Sequence, residues 1–93
     1  MRIGEVIGNV TLSRAHASLV GASLRLAVPF TLSELADQAA PAGEALVVYD
    51  ELGAGLGSRI AISEGGEAAQ PFQPELKPVD AYNAAILDDI QLT

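Results

Sequence analysis

Apolar and polar positions alternate with a period of two along much of this chain, the pattern of strands that bury one face. The first such run covers residues 2–12, with Ile3 and Ile7 on one face and Val6 and Val10 on the other. Gly4 and Gly8 interrupt it, and glycine inside a strand marks a bulge, a barrel bend or a close backbone contact. Residues 13–21 form a polar connection that ends in a turn. From Ala22 to Val28 the alternation is clean: Leu24, Leu26 and Val28 on one side, Ser23, Arg25 and Ala27 on the other, with Pro29 as the stop. The period then changes. Leu32, Leu35 and Ala36 stand at helical spacing behind Thr31 or Ser33 as caps, and Pro41-Ala42-Gly43 ends the segment, which predicts a short helical turn within 31–43.

The run from Glu44 to Asp50 is the most apolar, and Leu46-Val47-Val48 predicts burial on both faces. Ser58 to Glu64 sets Ile60 and Ile62 against Arg59, Ala61 and Ser63, and Gly65-Gly66 gives a turn. Pro71, Pro74 and Pro78 predict an extended, irregular path over 70–78. Asp80 is placed to cap a short helix from Ala81 to Ile86, and Ile90 to Leu92 adds a last short strand. These elements assemble as an all-β fold: a small five-stranded OB-like β-barrel with a short C-terminal helix. One domain over 1–93, with no internal repeat and no linker, is the economical arrangement.

Composition sharpens this. A chain of 93 residues buries roughly 60–65% of its unfolded surface, so burying a further face in an oligomer would add to a thin margin. Hydrophobic residues make up 49% and aromatics only 4%, so the core is aliphatic. Twelve acidic against five basic residues give a net charge of −7, which repels phosphate and disfavours nucleic acid. Only Phe30, Tyr49, Phe72 and Tyr82 are available to stack on bases. No apolar run is long enough to span a bilayer and no basic-then-apolar leader follows Met1, so a cytosolic protein is expected. The absence of cysteine fits that compartment and excludes disulfides, thiolate chemistry and Cys-based metal sites.

The segment Asp50-Glu51-Leu52-Gly53-Ala54-Gly55-Leu56-Gly57-Ser58 carries the strongest local signal, three glycines at every second position. Glycine loses more conformational freedom on folding than any other residue, so a cluster is kept where positive φ or close backbone approach is required. The spacing is too short for a dinucleotide fingerprint, a strand follows where a helix is needed, and no Gly-Lys-Ser/Thr closes a P-loop. Asp50 and Glu51 sit at the lip, either as solvated strand-end charges or as carboxylates ringing a pore. His16 has Ser18 nearby but no nucleophile elbow, and belongs to a surface loop. Asp80, Asp88 and Asp89 lack the alternating oxygen spacing of a calcium loop and serve as caps and solvated turn charges. No catalytic residue, cofactor site or metal ligand set emerges.

Four blocks, in order, resemble the bacterial microcompartment vertex proteins of the EutN/CcmL family. Met1-Arg-Ile-Gly-Glu-Val-Ile-Gly-Asn-Val10 resembles the opening strand with its I-G-x-V-x-G pattern, and Ser18-Leu19-Val20-Gly21-Ala22-Ser23-Leu24 the S-L-x-G-x-x-L turn. Asp50 with Gly53-Ala54-Gly55-Leu56-Gly57 resembles the hallmark loop, and Val79-Asp80-Ala81 through Ile86-Leu87-Asp88 the closing V-D-A…I-x-D segment. The resemblance implies a non-enzymatic shell protein, a homopentamer capping icosahedral vertices between hexameric shell proteins in a cytoplasmic microcompartment. It also implies that Gly53, Ala54, Gly55, Leu56, Gly57 and Ser58 line the ring axis, where backbones of neighbouring subunits crowd. Two departures fall at expected interfaces: Arg14 is the nearest cation where the family often has a Lys, and Gln70 stands where an Arg is usual. Two other readings use the same residues: a small OB-like barrel binding a ligand or oligonucleotide, and an acid–base enzyme built on Asp50, Glu51 and His16. Solution mass separates a ring of five from a monomeric binding barrel.

Overall fold

In the computed structural model, which describes residues 1–75 and 77–92, the first strand β1 runs Arg2–Val10 and the second, β2, Leu24–Pro29. A helix α1 at Leu32–Ala36 precedes β3 at Leu46–Tyr49 and β4 at Arg59–Glu64. Helix α2 at Gly66–Ala69 runs into a 3-10 turn at Gln70–Phe72, and β5 closes the set at Ala81–Leu87. The strands form a closed barrel in the order β1-β2-β3-β5-β4. All neighbours are antiparallel except β3 and β5, which pair in parallel at Tyr49↔Tyr82. The register of β1 against β2 shifts between Val6 and Gly8, the irregularity that its glycines announce.

Val6, Ala27, Val48, Ala54, Ile60, Ile62 and Ala81 make up the core. The inward side of β2 is therefore the Ala27 side. Val6 faces Ala27 across β1–β2 and Arg25 faces Val48 across β2–β3, so Arg25 lies on the side of the core. A barrel this small has room for alanine where two larger neighbours converge, so the bulkier face of β2 is turned outward.

Four expectations need correction. Residues 81–86 are strand and not helix: Ala81 and Asn83 are buried at a period of two, and the segment pairs with β4 from Arg59↔Leu87 to Glu64↔Ala81. Tertiary pairing overrides the alanine-rich local preference. With no helix to cap, Asp80 instead accepts the Gly65 N–H at its carbonyl, 2.9 Å away. The fifth strand is thus β5, and residues 90–92 form none. Val47 points to solvent, so the outer face of β3 is open there, while Tyr49 further along the same face is buried. Finally, the path after Gly65 winds through α2 and its 3-10 turn before it extends. The short helix at 31–43 is α1, held by a capping box. Thr31 Oγ1 accepts from the Glu34 N–H at 3.1 Å and Glu34 Oε1 from the Thr31 N–H at 2.8 Å.

Because Ile62 is wholly buried in the core, Ile62→Ala is expected to lower stability by about 2–5 kcal/mol. The same truncation at exposed Leu32 should stay within about 0.5 kcal/mol. Urea midpoints at matched protein concentration check both.

Candidate functional site

The glycine loop leaves β3 at Tyr49 and enters β4 at Arg59, and its shape is set by one carboxylate. Asp50, the first loop residue, is only 2% exposed. Its Oδ1 accepts from the Leu52 N–H at 3.0 Å and from Asn83 Nδ2 at 2.9 Å, and its Oδ2 from the Ala54 N–H at 2.8 Å. Arg25 supplies the compensating charge, with Nε 3.3 Å from Asp50 Oδ2, and the same Nε donates to the Ala54 carbonyl at 2.7 Å. Both polar groups of Ala54 are therefore gripped, and its methyl is driven into the core. Among the described residues every buried side-chain nitrogen and oxygen has a partner. A buried ion pair is tolerated on that condition.

Pinned at Ala54, the loop splits into two lobes whose tips, Leu52 and Leu56, stand exposed. Gly53 and Gly57 adopt φ of 79° and 82°, the left-handed region where a side chain is strained. Gly55 is different. Its φ is not in that region, and a Cβ built there meets nothing within 4 Å. Nothing inside the protomer requires glycine at 55. The loop re-enters the barrel through backbone bonds of Gly57 N–H to the Val6 carbonyl at 2.8 Å and Val6 N–H to the Ser58 carbonyl at 2.9 Å. Ser58 Oγ accepts from the Gly55 N–H at 3.1 Å.

Glu51 and Asp50 are chain neighbours with opposite fates. Asp50 is buried and bonded to internal donors, whereas Glu51 faces solvent. The Glu51 carboxylate accepts from the Tyr82 hydroxyl at 2.6 Å, which, with some desolvation, pushes Tyr82 up to about 12. Tyr82 belongs to an aromatic cluster with Tyr49 and Phe72, ring centroids 4.8–6.3 Å apart. Lys77 Nζ lies 4.7 Å from the Phe72 centroid and 5.3 Å from that of Tyr49. The cluster covers the seam where β3 and β5 meet at a single residue pair.

The remaining sequence candidates lie apart from this clamp. His16 Nδ1 accepts the Ser18 N–H at 3.1 Å and lies 2.7 Å from Ser18 Oγ, capping the 3-10 turn at Ala17–Leu19. Arg14 is exposed in the β1–β2 connection, and Gln70 is exposed just after α2. Asp89 accepts from Gln91 Nε2 at 3.0 Å. Arg25 and Asn83 are the functional residues that sequence reasoning misses. A lone arginine on the small-residue side of an apolar strand was a signal that could have found the first. Asn83 had none, since it lay in a segment with helical preference.

A closed five-stranded barrel that uses a buried ion pair to hold out a glycine loop, with no helix among the described residues long and apolar enough to cross a membrane, defines a small all-β class. Within it, this chain belongs to the family described as ethanolamine utilisation protein EutN/carboxysome, whose family model matches residues 1–88. It is 37% identical to the carboxysome shell vertex protein CcmL of Gloeobacter violaceus, over 99% of this chain and 87% of that protein. The solved structure of Gloeobacter violaceus CcmL superposes with a TM-score of 0.85, at 32% identity over 99% of this chain and 90% of that one. The microcompartment shell vertex protein GrpN of Rhodospirillum rubrum is 31% identical over 98% of this chain and 97% of its own length. Its structure, a pentameric shell protein, gives a TM-score of 0.83 at 30% identity, with full coverage of both chains.

Two outcomes follow from the clamp. Arg25→Met leaves a buried carboxylate unpaired and is expected to lower stability by about 3–5 kcal/mol. Adding Asp50→Asn should cost less than the two single losses combined, with a coupling of about 1–3 kcal/mol in a double-mutant cycle. Folding raises the Tyr82 pKa, so its contribution is complete below the ordinary tyrosine value and is lost as pH rises through about 12. Tyrosinate absorbance should show a late-titrating phenol that Tyr82→Phe removes.

Proposed function

We propose that this chain is a structural, non-enzymatic subunit of a bacterial microcompartment shell, closing into a ring of five that caps the shell's vertices between hexameric tiles. Membership of the family and likeness to the pentameric GrpN structure over the full length of both chains carry this reading. A head-to-tail contact that closes by rotation makes a cyclic ring, and flat hexagonal tiling cannot close without pentagons. In this reading Gly53 to Ser58 line the ring axis. Gly55 supports it, because its lack of a side chain has no cause inside the protomer and a crowded axis would supply one. Glu51, in place of Asp50, would be the carboxylate near the opening. Arg14 and Gln70 are assigned to contacts with neighbouring subunits.

Native mass spectrometry of the purified protein should show five protomers, and only monomer or dimer across micromolar concentrations would defeat the reading. Gly55→Val should keep the barrel's circular-dichroism spectrum while weakening the ring, since the added side chain has open space in one protomer. If it assembles as well as the parent, the crowded axis is wrong. Co-expressed with its neighbouring hexamer genes, the protein should close shells that stay open or elongated without it. Closed, normal shells in its absence, with no second vertex protein encoded, would sink the assignment.

A further inference from the structure

Outside the clamp, one pair of side chains has the geometry of an activated hydroxyl. His16 Nδ1 lies 2.7 Å from Ser18 Oγ, and the same Nδ1 accepts the Ser18 backbone N–H at 3.1 Å. The second bond decides the chemistry of the first. An imidazole nitrogen that accepts from an amide carries a lone pair and no proton, so neutral His16 holds its hydrogen on Nε2. The Ser18 hydroxyl is then the donor across the 2.7 Å contact, and its oxygen is left as the nucleophile. This is a hydroxyl beside a general base, with the tautomer fixed by the chain's own backbone. Capping alone does not need it, because the Ser18 N–H by itself satisfies the cap.

Among the described residues Ser18 is the one serine or threonine whose hydroxyl meets a side-chain base. Thr31 Oγ1 and Ser58 Oγ accept from backbone amides instead. The Tyr82 hydroxyl meets the Glu51 carboxylate, but that bond keeps the proton on and pushes Tyr82 up to about 12. His16 is exposed and Ser18 half-buried, which leaves both open to a reagent. His16 also borders a hollow of about 330 Å³, room for a small acyl group and its carrier. Glu75 and Lys77 are the charged groups on the wall of that hollow, and Arg14 stands two positions before the imidazole in the chain.

We infer that Ser18 is a covalent modification site, a hydroxyl that takes an acyl group from an activated ester with His16 as its general base. Ser18 Oγ forms the bond to the acyl carbon while its proton passes to His16 Nδ1. The bond from that carbon to the ester oxygen breaks, the leaving oxyanion departs with the electron pair, and Nδ1 gives the proton up to water. The acylated turn keeps its cap, because the Ser18 N–H again finds Nδ1. One acyl group per chain is taken up, with no turnover, and nothing in the step needs a ring. The probe is p-nitrophenyl acetate, with acid quenching and peptide mass mapping to place the acetyl group. Ser18 should be acetylated at least about tenfold faster than Ser13 and Ser33, which are exposed hydroxyls without a base. His16→Asn retains a capping side chain but no base, and should bring Ser18 down to the rate of Ser13 with the circular-dichroism spectrum unchanged. In the parent, the rate should rise with pH in step with loss of the proton from His16, the single histidine, followed by its ring-proton resonances. Acetyl groups confined to the amines of Met1 and Lys77, or a Ser18 no faster than Ser13, would overturn the site without recourse to any variant. Equal rates in His16→Asn and the parent would overturn His16 as the base.

Discussion

A part-buried arginine on the inward side of a strand, paired with a fully buried aspartate, is the constraint on which the rest of this structure depends. Arg25 sits on the inward side of β2, where burial of a charge is expensive unless it is paired and hydrogen-bonded. Asp50 answers it from the end of β3, and each partner is further satisfied by the loop itself. The pair therefore organises backbone as well as charge. Through Ala54 it draws the middle of the glycine loop into the core, and through Asn83 it ties that loop to β5. Barrel, loop and last strand become one object.

That object has a weak flank. β3 and β5 run parallel and share one residue pair, so closure there depends on side chains. Three of the four aromatic residues gather at this point, with Lys77 over two of the rings and Glu51 bonded to Tyr82. A scarce resource is concentrated where the backbone ladder is thinnest. Among the described residues no strand pairs with that edge of β3 over 46–48.

A loop clamped by its own carboxylate and a flank closed by a single residue pair are compatible with the ring proposed above. The buried carboxylate is consumed by structure, and the single histidine caps a 3-10 turn. An acidic surface with nearly every cation engaged internally leaves shape and apolar surface as the means of association. The shell vertex proteins to which the chain is similar are proteins of this kind.

By itself the sequence determined the strands with one alternating face, the bulge near Gly8, the capped turn at Thr31 and the permissive loop at 53–57, because each is encoded by neighbours in the chain. The order of motifs also determined the family, since four blocks in register are hard to assemble by chance. Only the tertiary structure decided which face of β2 turns inward, because that depends on the volume left by Val6 and Val48 across the barrel. It decided that Asp50 is buried while Glu51 is exposed, a choice set by a cation 25 positions earlier in the chain. It turned residues 81–87 from a plausible helix into β5, because six pairings with β4 outweigh local preference. And it separated Gly55 from Gly53 and Gly57, since only the backbone dihedrals tell a glycine held at positive φ from one that is not.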